Sequence, residues 1–245
     1  MRRLLSDVVS TLVPPRGDRH GPLPPLMLTL TVVTGLVDAV SYLALGHVFV
    51  ANMTGNVVFL GFALVGAANL SALASVVALA AFLVGALAGG RLGTRFAAHR
   101  GNLLKTATAV QTVLFAVTVA AAAVTDGRVT TGVQYTLIVF LGLGMGLQNA
   151  AARRLGVPDL TTTVLTLTLT GLAADSTPAG GTAPRPGRRI LSLLTMFLGA
   201  FAGAQLVLHG HLVLTLSLAL LLLAVISATT HRLSSGDPAW TGPPS

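Results

Sequence analysis

The stretch Asn52–Ala67, NMTGNVVFLGFALVGA, decides the fold, because it is apolar and yet has only 16 residues. A helix that crosses a bilayer needs about 20 such residues. A second short stretch, Leu160–Ala174 (LTTTVLTLTLTGLAA), shares this property. Either stretch can cross the bilayer or return to the side on which it began. That choice sets the direction of every helix that follows.

The composition of the chain indicates a membrane protein. Charged residues make up 9% and hydrophobic residues 53% of the 245 residues, whereas soluble domains carry roughly 25% charged residues. An ordinary soluble enzyme and a disordered protein are therefore excluded. The absence of cysteine excludes disulfides, thiol catalysis, iron–sulfur clusters and Cys-ligated zinc. We expect an all-α, polytopic helical membrane protein.

Eight hydrophobic segments follow one another along the chain. We predict a basic amphipathic segment at 1–23, a single transmembrane domain at 24–233 and a disordered tail at 234–245. The hydrophobic segments are, with approximate bounds, Pro25–Leu45, Asn52–Ala67, Ser71–Gly90, Leu104–Val124, Val133–Ala151, Leu160–Ala174, Ile190–Leu208 and Leu212–Ile226. In the amphipathic segment, apolar residues recur at helical spacing from Leu4 to Leu12, which predicts a helix lying on the membrane surface. A frayed terminus stays open as the alternative.

An internal repeat relates the two halves of the chain. Leu83–Leu92 reads LVGALAGGRL and Leu198–Leu206 reads LGAFAGAQL. Repeat one covers about 26–92 and repeat two about 133–208, with a linking helix at about 104–124 and a last helix at about 212–226. The alignment pairs Gly46 with Gly156, Asp38 with Gln148, Thr54 with Thr166 and Asn56 with Thr168. The paired glycines let helices approach closely in lipid.

The basic residues discriminate between two topologies. If all eight segments cross and the N-terminus is inside, 9 Lys and Arg lie inside and 6 outside. If the two short segments return to their own side, Arg128 alone of the 15 basic residues lies outside. Because cytoplasmic loops are enriched in Lys and Arg, the second arrangement with six crossings is favoured. It also inverts the two repeats, a plan that recurs in secondary transporters. Eight crossings with parallel repeats remain the alternative.

Asp38 is the only carboxylate within a predicted crossing, and it shares a helix face with Thr34 and Tyr42. A charge near the bilayer centre costs at least about 2.5 kcal/mol, so such residues are often functional. Asp38 is therefore either a proton or cation site or a structural acid with local hydrogen bonds.

Further polar residues lie where a ligand could reach them. Asn52 is placed to cap the short second segment, whose amino end would face a cavity. The sixth segment is rich in threonine, and we expect Asp159 to cap it. The candidate substrate-binding residues are Asp38, Tyr42, Asn52, Thr54, Asn56, Gln148, Asn149, Thr166 and Thr168. The sequence contains no motif for a metal, a cofactor or a catalytic group.

The runs GLVDAVSYLALGHVFVANMTGN at Gly35–Asn56 and LQNAAARRLGVPDLTTTVLT at Leu147–Thr166 resemble the YoaK family of bacterial membrane proteins. The resemblance covers about Leu26–Ser227. It implies a multi-pass inner-membrane protein and no catalytic residue, because the family is a domain of unknown function.

We expect a small-molecule transporter or permease in the plasma membrane, with a cytoplasmic N-terminus and proton coupling through Asp38. The alternatives are a non-transporting scaffold or lipid-binding partner subunit and, less favoured, an intramembrane enzyme. The expected partners are the lipid bilayer and an unidentified small molecule. Nucleic acid is not expected, and a homo-oligomer is left open.

Overall fold

The computed structural model describes residues 2–163, 165–235 and 239–242. Within these ranges the chain is helical and has no strand. The helices are α1 (Arg2–Leu12), α2 (Leu23–Ala44), α3 (Met53–Leu64), α4 (Ala72–Arg95), α5 (Arg100–Val124), α6 (Thr131–Leu155), α7 (Leu165–Ala174), α8 (Pro186–Leu208) and α9 (Leu212–Leu233). The prediction of an all-α polytopic membrane protein is confirmed.

Six helices are long and apolar enough to cross a bilayer, namely α2, α4, α5, α6, α8 and α9. The two short apolar stretches form α3 with 12 residues and α7 with 10 residues. At 1.5 Å per residue these helices are about 18 and 15 Å long, compared with about 30 Å for the hydrocarbon core. Neither helix can span the bilayer.

Contacts between α2 and α6 give the direction of the chain. Gln148 in α6 lies at hydrogen-bond distance from Thr34, and Gln134 near the start of α6 donates to the carbonyl oxygen of Leu45. The two helices therefore run antiparallel. In the eight-crossing topology they would run parallel, so this contact pattern supports six crossings. The connection through α3 returns the chain to the end at which α2 finished.

The bundle has two ends of very different charge. Arg100 lies where α5 begins, and its guanidinium donates to the carbonyl oxygen of Leu155 at the end of α6. We call this end, which also carries Arg95, Arg153 and Arg189, the basic end. The turn between α5 and α6 carries Arg128, and we call that end the Arg128 end.

The His20 ring is packed against Arg100 at the basic end. Its Nδ1 lies 3.2 Å from the Arg100 guanidinium. Burial, followed by the nearby charges of Arg100 and Arg188, lowers the pKa of His20 below its usual 6.5. The neutral ring is therefore favoured in the folded chain.

Four glycines hold the two repeats together. A Cβ on Gly85 would collide with the carbonyl oxygen of Leu143, and a Cβ on Gly199 would collide with that of Val32. Helix α4 packs on α6 in the same way that α8 packs on α2. Gly146 and Gly35 make the reciprocal contacts, against Phe82 and Met196 respectively.

The repeating unit contains one more helix than the sequence alignment assigned to it. The predicted linking helix, α5, packs along the predicted last helix, α9. Helix α5 also contacts α6, just as α9 contacts α2. The two units are therefore α2–α5 and α6–α9. Because each unit crosses three times, the second copy is inverted with respect to the first.

The chain ends cover the basic end. Helix α1 packs against the start of α8, where Asp7 accepts a hydrogen bond from the amide of Arg188 at 3.1 Å. Leu5 and Val9 stay exposed on the opposite face of α1, which suits a helix at a membrane surface. Residues Ala239–Thr241 form a 3-10 turn with Trp240 buried against Gly21. This packing differs from the predicted disorder of 234–245, of which 236–238 and 243–245 lie outside the described residues.

Candidate functional site

Asp38 lies in the most buried spanning helix, α2, with 6% of its surface exposed. Its Oδ1 accepts a hydrogen bond of 3.2 Å from the backbone amide of Ala51. Ala51 stands just before α3, so the carboxylate joins the end of α2 to the start of the short helix. This bond gives the buried carboxylate a local structural partner.

Tyr42 lies one helical turn beyond Asp38, inside a group that we call the aromatic cluster, formed by Tyr42, His47, Phe49 and Phe59. The Tyr42 ring stacks on Phe49 with a centroid separation of 5.2 Å, and Phe49 stacks on Phe59 at 5.8 Å. His47 meets Tyr42 edge-on at 5.1 Å. The cluster thus lies beside Asp38, on the side of the Arg128 end, with Tyr42, Phe49 and Phe59 half-buried and His47 exposed.

Asn56 fixes the aromatic cluster from α3. Its Oδ1 accepts from the Phe49 amide at 2.8 Å and its Nδ2 donates to the Phe49 carbonyl oxygen at 2.6 Å. Gly55 leaves room for the Phe49 ring, because a Cβ there would lie 2.7 Å from that ring. Asn52 caps α3 by position but makes no side-chain cap bond, and Asn52 and Thr54 are exposed.

Asn149 occupies the corresponding place in repeat two. Its Oδ1 accepts a hydrogen bond from the Thr163 hydroxyl, and its Nδ2 donates to the Met145 carbonyl oxygen at 2.9 Å. Thr163 lies two residues before α7, as Ala51 lies two residues before α3. Farther along α7, Thr166 is exposed and Thr168 is buried.

The predicted pairing of Asp38 with Gln148 is wrong by one residue. Gly203 packs against Leu36 and Ala39, and Gly89 packs against Leu147 and Ala150. This register places Asp38 opposite Asn149. The sequence alignment anchored the helices on Gly46 and Gly156, which lie beyond the helix ends, and so it missed the one-residue offset within them.

Gln148 belongs to a separate network between three helices. Its Oε1 accepts from Gln111 Nε2 in α5 at 2.9 Å, and its Nε2 donates to Thr34 Oγ1 at 3.0 Å. All three side chains are buried. Gln111 was not predicted as a candidate residue, although an uncharged amide inside an apolar segment indicates a buried polar contact. The network joins α2, α5 and α6.

An open cleft of about 1230 Å³ lies at the basic end, between α4, α6 and the segment 156–167. We call it the basic-end cleft. Asn149 and Thr163 line it, and Arg153 and Arg154 stand at its rim. Asn149 is the one sequence-predicted candidate in the cleft lining described by the structure. Thr163 was not selected from the sequence, because only its contact with Asn149 distinguishes it from its threonine neighbours.

Asp159 does not cap α7, contrary to the prediction, because α7 begins only at Leu165. Its two carboxylate oxygens instead accept from Arg185 Nε and Arg189 Nε, both at 2.9 Å. Arg189 also donates to Asp175 at 2.8 Å. These ion pairs attach both ends of the α7 region to the start of α8, on one side of the cleft.

The candidate residues do not converge on one site. Asp38, Tyr42 and Asn56 lie at the Arg128 end, Gln148 lies within the bundle, and Asn149 lines the basic-end cleft. Among the side chains that the structure describes, no three His or acidic residues come together as metal ligands.

Comparisons with known proteins agree with this fold. Residues 26–229 match the family described as protein of unknown function (DUF1275). The chain is 33% identical over 152 residues to the UPF0700 transmembrane protein YoaK of Bacillus subtilis (strain 168), which covers 61% of this chain and 65% of that protein. The chain thus spans slightly less than two thirds of that curated relative. No solved structure matches it. The resemblance to the YoaK family is confirmed.

Proposed function

The chain belongs to the DUF1275 family of membrane proteins, and from this premise we propose that it is a small-molecule transporter or permease. The observation that carries the proposal is the basic-end cleft, whose volume of about 1230 Å³ can hold a small solute. Ligand sites commonly occupy about 300–1,000 Å³ and combine apolar walls with a few polar groups. Here Asn149 and Thr163 supply the polar groups.

The inverted repeats support the same proposal. Secondary transporters often bind their substrate between two inverted repeats, next to short or broken helices. In this chain the cleft lies between α4 of one unit and α6 of the other, and the segment leading to α7 closes its third side. A solute in the cleft would therefore contact both units.

We further propose that the protein lies in the plasma membrane with the basic end in the cytoplasm. The positive-inside rule supports this orientation, since Arg128 is the one basic residue assigned to the other end. It also gives a cytoplasmic N-terminus. The basic-end cleft would then open towards the cytoplasm.

Asp38 is the proposed coupling residue. An acid inside a spanning helix is commonly part of a proton pathway. Its bond to the Ala51 amide supports a structural role equally well. Asp38→Asn separates the two roles, because the amide cannot carry the proton yet still accepts the Ala51 hydrogen bond. Loss of proton-coupled uptake with an intact fold is expected.

A non-transporting scaffold is the second candidate function, and the Gln148 network favours it. Gln111 Nε2 donates to Gln148 and Gln148 Nε2 donates to Thr34, so these buried groups join helices to one another.

The decisive experiment is a thermal-shift screen of small polar metabolites on the purified full chain. A ligand at 100 times its Kd stabilises the folded state by about 2.7 kcal/mol. Gly90→Leu fills the cleft, since a Cβ on this cleft-lining glycine meets no atom within 4 Å. Gly61→Leu is the matched control, a helical glycine on α3 with equally open surroundings.

We expect some metabolites to stabilise the wild-type chain and the Gly61→Leu variant but not the Gly90→Leu variant. The same compounds should be taken up by vesicles that contain the wild-type chain. If every stabilising compound acts equally on both variants, the cleft is not the binding site. If no compound shifts the transition and knockout and overexpressing cells have the same metabolites, the scaffold is favoured.

A further inference from the structure

Several residues that line the basic-end cleft have equivalents in repeat one. The packing of Gly203 and Gly89 makes Asn149 equivalent to Asp38 and, four residues on, Arg153 equivalent to Tyr42. Both Asn149 and Asp38 bond to the residue that lies two positions before a short helix. The two units thus contain the same arrangement of a polar helix residue and a short-helix entry.

The two units differ in the residues that lie beside this arrangement. In repeat two, Arg153 and Thr161 line an open cleft. In repeat one, the equivalent positions are Tyr42 and Phe49, and their rings stack on Phe59. Asn56 holds Phe49 in place through two backbone hydrogen bonds. Two aromatic residues therefore stand at positions whose equivalents line the open cleft, and Phe59 of α3 stacks on one of them.

We propose that Asp38 and the start of α3 form a second binding half-site, closed to the Arg128 end by Tyr42, Phe49 and Phe59. The pathway would then have an open half-site at the basic end and a closed half-site at the Arg128 end. The inference rests on the proposed transport function for its biological meaning. The structure corresponds to the state open at the basic end.

The chemistry of the closed half-site selects a cationic group. A carboxylate in a low-dielectric surrounding attracts positive charge far more strongly than it does in water. Asn149, at the equivalent place in the open half-site, is neutral and can donate or accept a hydrogen bond. The half-site around Asp38 therefore differs from its counterpart by one side chain that can carry a negative charge.

Cysteine labelling tests this half-site directly, because the chain has no native cysteine. Val50 is fully buried next to Ala51, and Cys is smaller than Val, so Val50→Cys introduces a thiol without overpacking. Ala51→Cys is a second reporter if Val50→Cys does not fold. Val65→Cys, at a residue 85% exposed, gives the reference rate. The probes are a cationic and an anionic methanethiosulfonate, applied to the purified full chain.

We expect Cys at position 50 to react at least about tenfold more slowly than Cys at position 65. Tyr42→Ala should accelerate the reaction at position 50 about tenfold, which equals about 1.4 kcal/mol. Phe201→Ala is the matched control, since it removes one ring of an exposed stacked pair on α8. With Tyr42→Ala, the cationic reagent should react severalfold faster than the anionic one, and Asp38→Asn should abolish this preference.

If Tyr42→Ala leaves the labelling rate at position 50 unchanged, or Phe201→Ala accelerates it equally, Tyr42 does not close the half-site. Equal rates of the two reagents beside Asp38 would overturn the cationic half-site. Labelling needs no substrate, so its result is independent of the ligand screen. If the screen fails and labelling succeeds, transport is wrong while the closed half-site stands. If the screen succeeds and labelling fails, the closed half-site is wrong while transport stands.

Discussion

At the scale of single residues, Gln148 shows how a buried amide joins three spanning helices. Two of its hydrogen bonds connect α6 to Gln111 in α5 and to Thr34 in α2. Interhelical hydrogen bonds in membranes are worth about 0.6 to 1.7 kcal/mol each. A buried partner left without a bond costs about 1 to 3 kcal/mol.

We predict that Gln148→Leu lowers the free energy of unfolding by about 1 to 2 kcal/mol, because Gln111 and Thr34 lose their partner. The double variant Gln111→Leu with Gln148→Leu should lose less than the sum of the single losses, since both amides of the pair are gone. Thermal unfolding in detergent measures the effect. Gln205→Leu, at an exposed position on α8, is the control. Strictly additive losses would contradict the network.

Asp38 and Asn149 show what the sequence predicts about single residues and what it misses. Both residues were recognised in the sequence as candidates, but their equivalence was not. A shift of one residue rotates a side chain by about 100° around a helix, because a turn contains 3.6 residues. The one-residue error in the alignment therefore paired Asp38 with Gln148, which points into a different network.

At the scale of helices, small residues set how closely the two repeats approach. Gly85 in α4 faces the backbone of Leu143, whereas Gly90 on the same helix faces open space. In lipid, helix association depends on such close backbone packing, because there is little hydrophobic driving force between helices. Both residues are glycines of the same helix, but only Gly85 lies at a close contact between helices.

We predict opposite effects of alanine at these two positions. Gly85→Ala should lower the free energy of unfolding by about 1 to 3 kcal/mol, since its Cβ must displace α6. Gly90→Ala should be neutral or stabilising by up to about 1 kcal/mol, because alanine is the better helix former. Thermal unfolding of both variants checks this. Equal destabilisation by both would show that α4 and α6 do not meet at Gly85.

The two short helices, α3 and α7, were only partly predicted from the sequence. The apolar stretches around α3 and α7 were found in the sequence, and the topology favoured by the charge count has both of them return to the side on which they began. The start of α7 was predicted wrongly, because Asp159 was assigned as its cap. The carboxylate instead pairs with Arg185 and Arg189, which lie 26 and 30 residues away. A local capping pattern carries no information about such distant partners.

At the scale of the whole molecule, the six-crossing topology predicts that both ends of α3 lie on the same side of the membrane. Asn52 precedes α3 and Val65 follows it, and both are exposed. We predict that Asn52→Cys and Val65→Cys react with an impermeant maleimide from the same side of intact cells. Ala98→Cys, exposed at the basic end, should react only after permeabilisation. Reaction of the two α3 sites from opposite sides would favour eight crossings.

The distribution of charge and apolar residues along the chain was enough to predict the membrane class, the eight segments and the favoured topology. These features are local, because each residue partitions between lipid and water largely according to its own side chain. The inverted repeat was also visible, since its glycine pairs recur in the same order. An N-terminal amphipathic helix was one of the two alternatives that the sequence left open for that segment.

Only the tertiary structure decided which polar groups meet. The bonds of Asp38 to Ala51, of Asn149 to Thr163 and of Gln148 to Gln111 depend on how far one helix slides and rotates against another. Glycine contacts set the register between helices from different repeats. Hydropathy is nearly insensitive to a rotation of 100°, whereas a hydrogen bond is lost by it. The sequence therefore determined the spans and favoured one set of directions, and the packing alone determined the open cleft and the polar contacts around Asp38, Asn149 and Gln148.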